Sequence, residues 1–168
     1  MLPASQPRPV GDDGEGLKPR FRRKGDSIIV NLPAEERGVL AQVLDLLADV
    51  ERVEDDPAYR RLKVPVYLDD AEANEEWWRL MGDELDQSRA HDRAVYRGLM
   101  ETNDRVVLSD AEGDAVLRVL NEGRLAFAAR LKLEVEEDHD QLPEADRAAL
   151  DFLGWILEDL TVVLMQAL

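Results

Sequence analysis

The chain has 168 residues and a mass of 19.0 kDa, which fits one domain, and 45% of its residues are hydrophobic, enough to fill one core. It lacks cysteine, so disulfides, thiolate nucleophiles, iron–sulfur clusters and cysteine zinc sites are excluded. A formal net charge of -16 opposes contact with nucleic-acid phosphates and with anionic membranes. No apolar run approaches the length of a membrane span. We therefore expect a cytoplasmic protein that does not bind membranes.

Positive charge is concentrated at the N-terminus. Residues 1–24 contain six basic and three acidic side chains, whereas the rest of the chain contains 15 basic and 34 acidic ones. Residues 1–16 hold three prolines and three glycines without an apolar period, a composition typical of disorder. We therefore predict a flexible arm over residues 1–16 and a single helical domain with an N-terminal hairpin over residues 17–168.

The domain is predicted to begin with a β-hairpin. In residues 17–32, apolar residues alternate with other residues on both sides of a turn at Gly25-Asp26. Because an isolated hairpin is only marginally stable in water, it must pack on helices. Pro33 then opens a helix that ends before Pro57, with apolar residues recurring every three or four positions: Val39, Leu40, Val43, Leu44, Leu47 and Val50.

The middle of the chain is predicted to hold a connection and a long helix. Residues 57–68 allow at most an edge strand, because Pro65 cannot donate to a ladder. A helix follows over about residues 71–102, capped by Asp69 or Asp70, and Gly82 is a candidate break. Its inner positions are predicted to be Trp77, Leu80, Met81, Leu85, Ser88, Val95, Leu99 and Met100.

Two further helices complete the predicted fold. Ser109 and Glu112 form a capping box that starts a helix running to about Leu133. The acidic residues 134–140 are predicted to form a loop, and Pro143 starts a last helix that reaches the C-terminus. We therefore expect a mainly α fold, a helical bundle of four to five helices with an N-terminal β-hairpin packed on it.

No catalytic, cofactor or metal site is predicted. His91 lies in mid-helix with no nucleophile at a catalytic spacing, and the chain has neither a G-x-S-x-G nor an H-E-x-x-H motif. The acidic residues 134–140 offer oxygen ligands for a hard cation, but they lack the spacing and the glycine of an EF-hand, which favours a solvated loop. We therefore expect no enzymatic activity.

Five basic residues of the hairpin are candidates for binding a partner: Lys18, Arg20, Arg22, Arg23 and Lys24. They either keep an edge strand soluble or recognise nucleic acid or an acidic partner. Because no exposed aromatic residue alternates with them, base stacking is unsupported. We expect weak or no duplex DNA binding by the protein alone.

Asn121 and Arg124 are a second candidate pair. They are three positions apart on one predicted helix, at the edge of an apolar stripe, so their side chains are neighbours. A structural interpretation pairs Arg124 with a carboxylate of another helix, partly inside the fold, and Asn121 with a loop carbonyl. The alternative is contact with a ligand or partner. Gly123 between them allows another helix to approach closely.

The last predicted helix is apolar on nearly all sides. One stripe is formed by Leu153, Ile156, Leu157, Leu160 and Leu164, and Trp155 lies largely off it. Such a helix is usually buried at the centre of a bundle. Trp155 also fits the alternative of a homodimer or partner surface, where tryptophan is favoured.

Two segments resemble a known family. Residues 116–126, VLRVLNEGRLA, contain a leucine–asparagine–x–x–arginine–leucine motif, and residues 151–160, DFLGWILEDL, lie in the closing helix. Both resemble an actinobacterial domain-of-unknown-function family that includes the oxidative-stress transcriptional regulator AosR. With the hairpin and the proline-led helix, the resemblance covers about residues 17–168. The family often has tryptophan at the position of Val116.

This resemblance implies a regulator that acts with the transcription machinery and senses oxidants through cysteines. The chain has no cysteine, so that sensing chemistry is not carried over. What remains implied is a non-enzymatic cytoplasmic regulator that acts through a protein partner. The alternative is an adaptor or structural protein-interaction module with no transcriptional role, and a homodimer is compatible with both.

Overall fold

A computed structural model describes residues 18–167, and the arm predicted over residues 1–16 lies outside them. The predicted mainly helical fold with a hairpin packed on it is confirmed. Within the described residues the chain forms six helices and three strands: β1 (Phe21–Lys24), β2 (Ser27–Val30), α1 (Ala34–Arg52), α2 (Pro57–Leu62), α3 (Ala71–Glu101), β3 (Val106–Leu108), α4 (Asp110–Arg130), α5 (Glu136–Asp140) and α6 (Glu144–Met165).

The hairpin is part of a three-stranded antiparallel sheet, because β3 pairs with β2. Phe21 lies opposite Val30 and Ile28 lies opposite Leu108, and all four side chains are buried. The inner face of the sheet therefore adds to the helical core. The sequence pattern does not indicate β3, because its three consecutive apolar residues give no alternation and the central one, Val107, is exposed.

The C-terminal half of α6 closes the free edge of β1. The Asp159 carboxylate accepts hydrogen bonds from the backbone N–H groups of Arg20, at 2.7 Å, and Phe21, at 3.0 Å. The Arg23 guanidinium donates to the carbonyl oxygen of Val163 at 2.9 Å. An open strand edge is a template for pairing with another chain, so these contacts protect the sheet.

α4 is the central helix and contacts α1, α2, α3, α6 and the sheet. Two of its glycines set the closest approaches. A Cβ atom on Gly123 would lie 2.4 Å from Cγ1 of Val43 on α1, and one on Gly113 would lie 2.8 Å from Cδ1 of Ile28 on β2. The prediction that Gly123 allows another helix to approach is confirmed.

The connection after α1 contains a helix, so the prediction that residues 57–68 reach at most an edge strand is wrong. Pro57 takes the first position of α2, where its missing N–H costs nothing. The Asp56 carboxylate accepts a hydrogen bond from the N–H of Ala58 at 2.8 Å and so caps the helix. A proline that breaks a strand pattern here starts a helix instead.

The acidic segment 134–140 is not simply a loop, because its last five residues form α5. The Asp138 carboxylate accepts hydrogen bonds from two backbone N–H groups before the helix, at 3.0 and 3.2 Å, and these bonds lower its pKa. α3 continues through Gly82 without the break that the glycine suggested, and α4 ends at Arg130, three residues earlier than expected.

Arg37 ties three segments together from inside the core. It is 4% exposed, and its guanidinium donates to the backbone carbonyls of Leu32 at 3.1 Å, of Leu99 at 2.5 Å and of Asp104 at 3.2 Å. Burial lowers its pKa. The arginine therefore satisfies carbonyl groups at the start of α1, the end of α3 and the approach to β3.

Candidate functional site

The basic residues of the hairpin divide into two groups. Arg20 forms two hydrogen bonds of 2.7 Å with the Glu36 carboxylate on α1, which raises the pKa of the arginine. Arg23 pairs with Asp110 at 2.6 Å. These two guanidinium groups attach the hairpin to the helices. Three basic side chains of the segment are exposed: Lys18, Arg22 and Lys24.

Trp155 lies half-buried where α6 meets the start of the sheet. Its ring centroid is 6.2 Å from that of Phe152 and 5.4 Å from the guanidinium carbon of Arg20. A cation near an aromatic face is stabilised by the ring quadrupole, so Trp155 helps to fix the hairpin. α6 is not central: it buries one stripe, whereas Val162 and Met165 are 51% and 64% exposed.

The prediction that Arg124 is partly buried in a salt bridge is wrong. Arg124 and Asn121 are both exposed, and neither side chain forms a hydrogen bond or ion pair within residues 18–167. The other two arginines of α4, Arg118 and Arg130, each form a salt bridge with a buried aspartate, at 2.6 and 2.7 Å. Arg124 differs because its exposed side chain lies beside Gly154 of α6, with no carboxylate of the described residues paired to it.

The side of α4 that bears Arg124 carries four neighbouring residues that we call the Arg124 surface: Asn121, Arg124, Leu125 and Ala128. Their spacing of three or four positions places them on one helical face. A cavity of about 590 Å³ lies between this face and α2, and a second of about 420 Å³ lies between it and α5 and α6. Leu125 and Ala128 line both cavities. The surface is therefore concave on both sides of an apolar ridge.

The two cavities differ in charge. The first is bordered by three cationic side chains and one acidic one: Arg60, Arg61, Lys132 and Glu134. The second is bordered by Arg124, by acidic residues and by His139, whose Nε2 lies 2.9 Å from Oδ1 of Asp151. Across the described part of the chain, no group of three or more histidine, aspartate or glutamate side chains is arranged to hold a metal ion. The arrangement offers hydrogen-bond donors and apolar contact.

Four residues in the first half of α3 were predicted at inner positions, but none of them is buried. Leu80 is 63% exposed and Met81 is 36% exposed, while Trp77 and Leu85 are half-buried. The buried residues of α3 begin only at Asp92. An apolar period shows which face of a helix is hydrophobic, but it does not show whether that face packs within the same chain.

The amino-acid sequence matches a known protein-family model. A family model described as a domain of unknown function, DUF2017, matches residues 18–164. The match covers the sheet, the Arg124 surface and nearly all of α6. No curated protein and no solved structure matches the chain. No helix in residues 18–167 is long and apolar enough to cross a membrane.

Proposed function

The chain belongs to the DUF2017 family, and we propose that it is a non-enzymatic cytoplasmic regulatory protein that acts by binding a protein partner. We propose that the partner is a component of the transcription machinery or a factor that this protein regulates, as the resemblance to the AosR-containing family implies. The observation that carries the proposal is the exposure of Asn121 and Arg124, the two polar residues of the motif on which the resemblance rests.

Within residues 18–167, no hydrogen bond or ion pair gives this polar pair a role inside the fold. A guanidinium that holds this fold together pairs with a carboxylate, as Arg118 and Arg130 do on the same helix, or with backbone carbonyls, as Arg37 does. Arg124 instead lies beside α6, where its Nε would be 3.7 Å from a Cβ atom on Gly154. Arginine is enriched in protein interfaces because its fork of donors and its flat apolar faces both make contacts.

The neighbours of Arg124 favour a protein partner. Leu125 and Ala128 provide an apolar ridge, and the adjoining cavities give a partner concave surfaces to fill. Interfaces commonly combine such an apolar centre with a polar rim. At the second cavity, Glu134, Glu136 and Asp151 repel nucleic-acid phosphates, whereas the first cavity is bordered by Arg60, Arg61 and Lys132.

Site-specific crosslinking tests this proposal. A photo-crosslinking amino acid replaces Asn121 in the full chain, and the products from a lysate of the source cells are identified by mass spectrometry. We expect a product with an RNA polymerase subunit, a sigma-type factor or another transcription factor. We expect Arg124→Glu to abolish it, whereas Arg105→Glu, a matched charge change at an exposed residue, leaves it intact.

Other outcomes contradict the proposal. Products with protease or chaperone subunits alone would support the adaptor function without a transcriptional role. A product that survives Arg124→Glu would show that the partner does not use the Arg124 surface. The absence of any protein product from position 121 would remove the surface from consideration.

A further inference from the structure

We propose that the first half of α3 carries a docking surface for a basic amphipathic helix of another protein. The surface consists of Trp77, Trp78, Met81 and Leu85, and we call it the tryptophan surface. It is separate from the Arg124 surface, so the two proposals can fail independently.

The tryptophan surface continues a helical face that is already used for packing. Tyr96 and Leu99 on the same face are buried in the core, and the Tyr96 hydroxyl donates to the carbonyl of Leu40 at 2.7 Å. Towards the N-terminus this face leaves the core: residues 71–91 of α3 include no buried residue. At 1.5 Å per residue, those positions extend over about 30 Å. Helices in proteins gain most of their stability from packing, so a helical face of this length is expected to pack against another element.

Within residues 18–167, the connection before α3 contacts the start of this face and the Trp78 ring. The Tyr67 N–H donates to Oδ1 of Asn74 at 2.8 Å, and the Asn74 side chain donates back to the Tyr67 carbonyl, which holds the preceding connection against the start of α3. Apolar side chains next to the covered end remain exposed: Leu68 by 83% and Leu80 by 63%. Within the tryptophan surface itself Met81 is 36% exposed, so part of its apolar area is open to a partner.

The two tryptophans are the expected anchors. Their ring centroids are 5.0 Å apart in an edge-to-face arrangement, and both rings are half-buried. Tryptophan is enriched among the residues that contribute most to binding energy, because it buries a large area at a small entropic cost. The Lys63 ammonium lies 5.7 Å from the Trp78 ring centroid, so this ring already accepts a cation.

Charge determines the kind of partner. Residues 69–88 contain eight acidic side chains and one basic side chain, Arg79, a net charge of -7. By helical spacing Glu75, Glu84 and Asp86 border the tryptophan surface, whereas Glu72, Glu76 and Asp83 lie on the opposite side of α3. Arg79 is bound to Glu76 at 2.7 Å. A second copy of the chain would place -7 against -7, and nucleic acids and anionic lipids would be repelled in the same way. A helix with an apolar stripe between lysines or arginines satisfies both the tryptophans and the carboxylates.

Binding of a model helix to the full chain tests the proposal. The probe is a fluorescein-labelled leucine–lysine amphipathic peptide of about 18 residues, long enough to form five turns, and the control is the same peptide with glutamate in place of lysine. Fluorescence anisotropy at physiological salt is expected to show saturable one-to-one binding of the lysine peptide and none of the glutamate peptide.

Two sets of variants separate specific docking from general attraction to an acidic protein. Trp77→Ala with Trp78→Ala is expected to weaken binding at least tenfold, whereas Val162→Ala with Met165→Ala, also exposed apolar side chains, has no effect. In a second pair of variants, three exposed carboxylates that flank the surface are changed to lysine, and a matched set elsewhere is changed in the same way. The flanking set is Glu75, Glu84 and Asp86, and the matched set is Glu54, Glu101 and Glu158.

The charge variants keep the proposal falsifiable if the tryptophan variant does not fold, because their side chains are exposed. Equal binding by the flanking and matched sets would overturn the proposal. So would a concentration-dependent dimer that Trp77→Ala and Trp78→Ala abolish, or tryptophan-dependent binding to phosphatidylcholine vesicles without peptide binding. Arg124→Glu is expected to leave peptide binding unchanged, so this result does not depend on the proposed regulatory function.

Discussion

Gly123→Ala should destabilise the protein although alanine is the better helix former. A Cβ atom at this position would lie 2.4 Å from Cγ1, 3.2 Å from Cγ2 and 3.4 Å from Cβ of Val43. Carbon atoms in optimal contact are about 3.5–4.0 Å apart, so the first overlap exceeds about 1 Å. Valine in a helix has one strongly preferred rotamer, and its second methyl group also faces the glycine. Relief therefore requires α1 and α4 to move apart.

The magnitude follows from two opposing effects. Replacing glycine by alanine in a helix interior gains about 1 kcal/mol. Overpacking a core costs about 1–3 kcal/mol, and an overlap with a stiff side chain belongs at the upper end of that range. We expect a net loss of about 2 kcal/mol in the free energy of unfolding. With a urea slope of about 2 kcal/mol/M, the midpoint should fall by about 1 M.

Urea unfolding followed by circular dichroism measures the effect, with Gly98→Ala as the control. Gly98 also lies inside a helix, but nothing lies within 4 Å of its added Cβ, so its substitution should stabilise the protein by up to about 1 kcal/mol. In a Val43→Ala background the clash disappears, and Gly123→Ala should become neutral or stabilising. If Gly123→Ala raises the midpoint as Gly98→Ala does, the close approach of α1 and α4 is refuted.

Two further predictions concern ion pairs. Arg130 holds the pKa of Asp56 below its usual value of 3.8, so this carboxylate contributes stability above that pH and loses it as the pH falls through the folded pKa. Asp56→Asn should therefore lower the urea midpoint at pH 6, and the difference from the unmodified protein should shrink towards pH 3. Arg124→Ala should change the free energy of unfolding by less than about 0.5 kcal/mol, because the side chain is exposed and unpaired within the described residues. Arg20→Ala should lower it by about 1–3 kcal/mol, because it leaves the half-buried Glu36 carboxylate without its partner. Equal urea midpoints for the two variants would contradict this difference.

The fold was predictable where local signals and packing agree. The capping box at Ser109 forms as predicted, with Glu112 accepting from the Ser109 N–H at 2.8 Å. The hairpin turns at Gly25, whose φ of 59° suits glycine. β3 was not predicted because three residues are too few to show a period. α2 was not predicted because Pro57 and Pro65 lie in one short segment. Short elements depend on tertiary contacts that a sequence pattern does not contain.

The candidate site was predictable in position but not in environment. The spacing of Asn121 and Arg124 correctly made them neighbours on one helix, but spacing cannot show which side of a central helix stays open. α4 is turned so that Gly123 meets Val43, and this rotation leaves Asn121 exposed. Arg37 shows the opposite failure, because a charged residue in the first turn of an amphipathic helix is expected at the surface, yet it is buried among carbonyl groups.

Duplex DNA binding by the isolated protein should be weak or absent at physiological salt. Of the basic hairpin residues, Arg20 and Arg23 are already neutralised by Glu36 and Asp110. Contacts by the exposed Arg22 and Lys24 would give a salt dependence with a slope of only about -2, and each phosphate brought to them also approaches an acidic body.

Fluorescence anisotropy with a labelled duplex at increasing salt concentrations measures this property. Arg22→Ala with Lys24→Ala should remove any binding seen at low salt, because both side chains lie exposed on the strand. Sub-micromolar affinity at physiological salt that survives this double substitution would place the DNA contact on another surface. It would also contradict the argument from charge, since the rest of the chain carries 34 acidic against 15 basic residues beyond position 24.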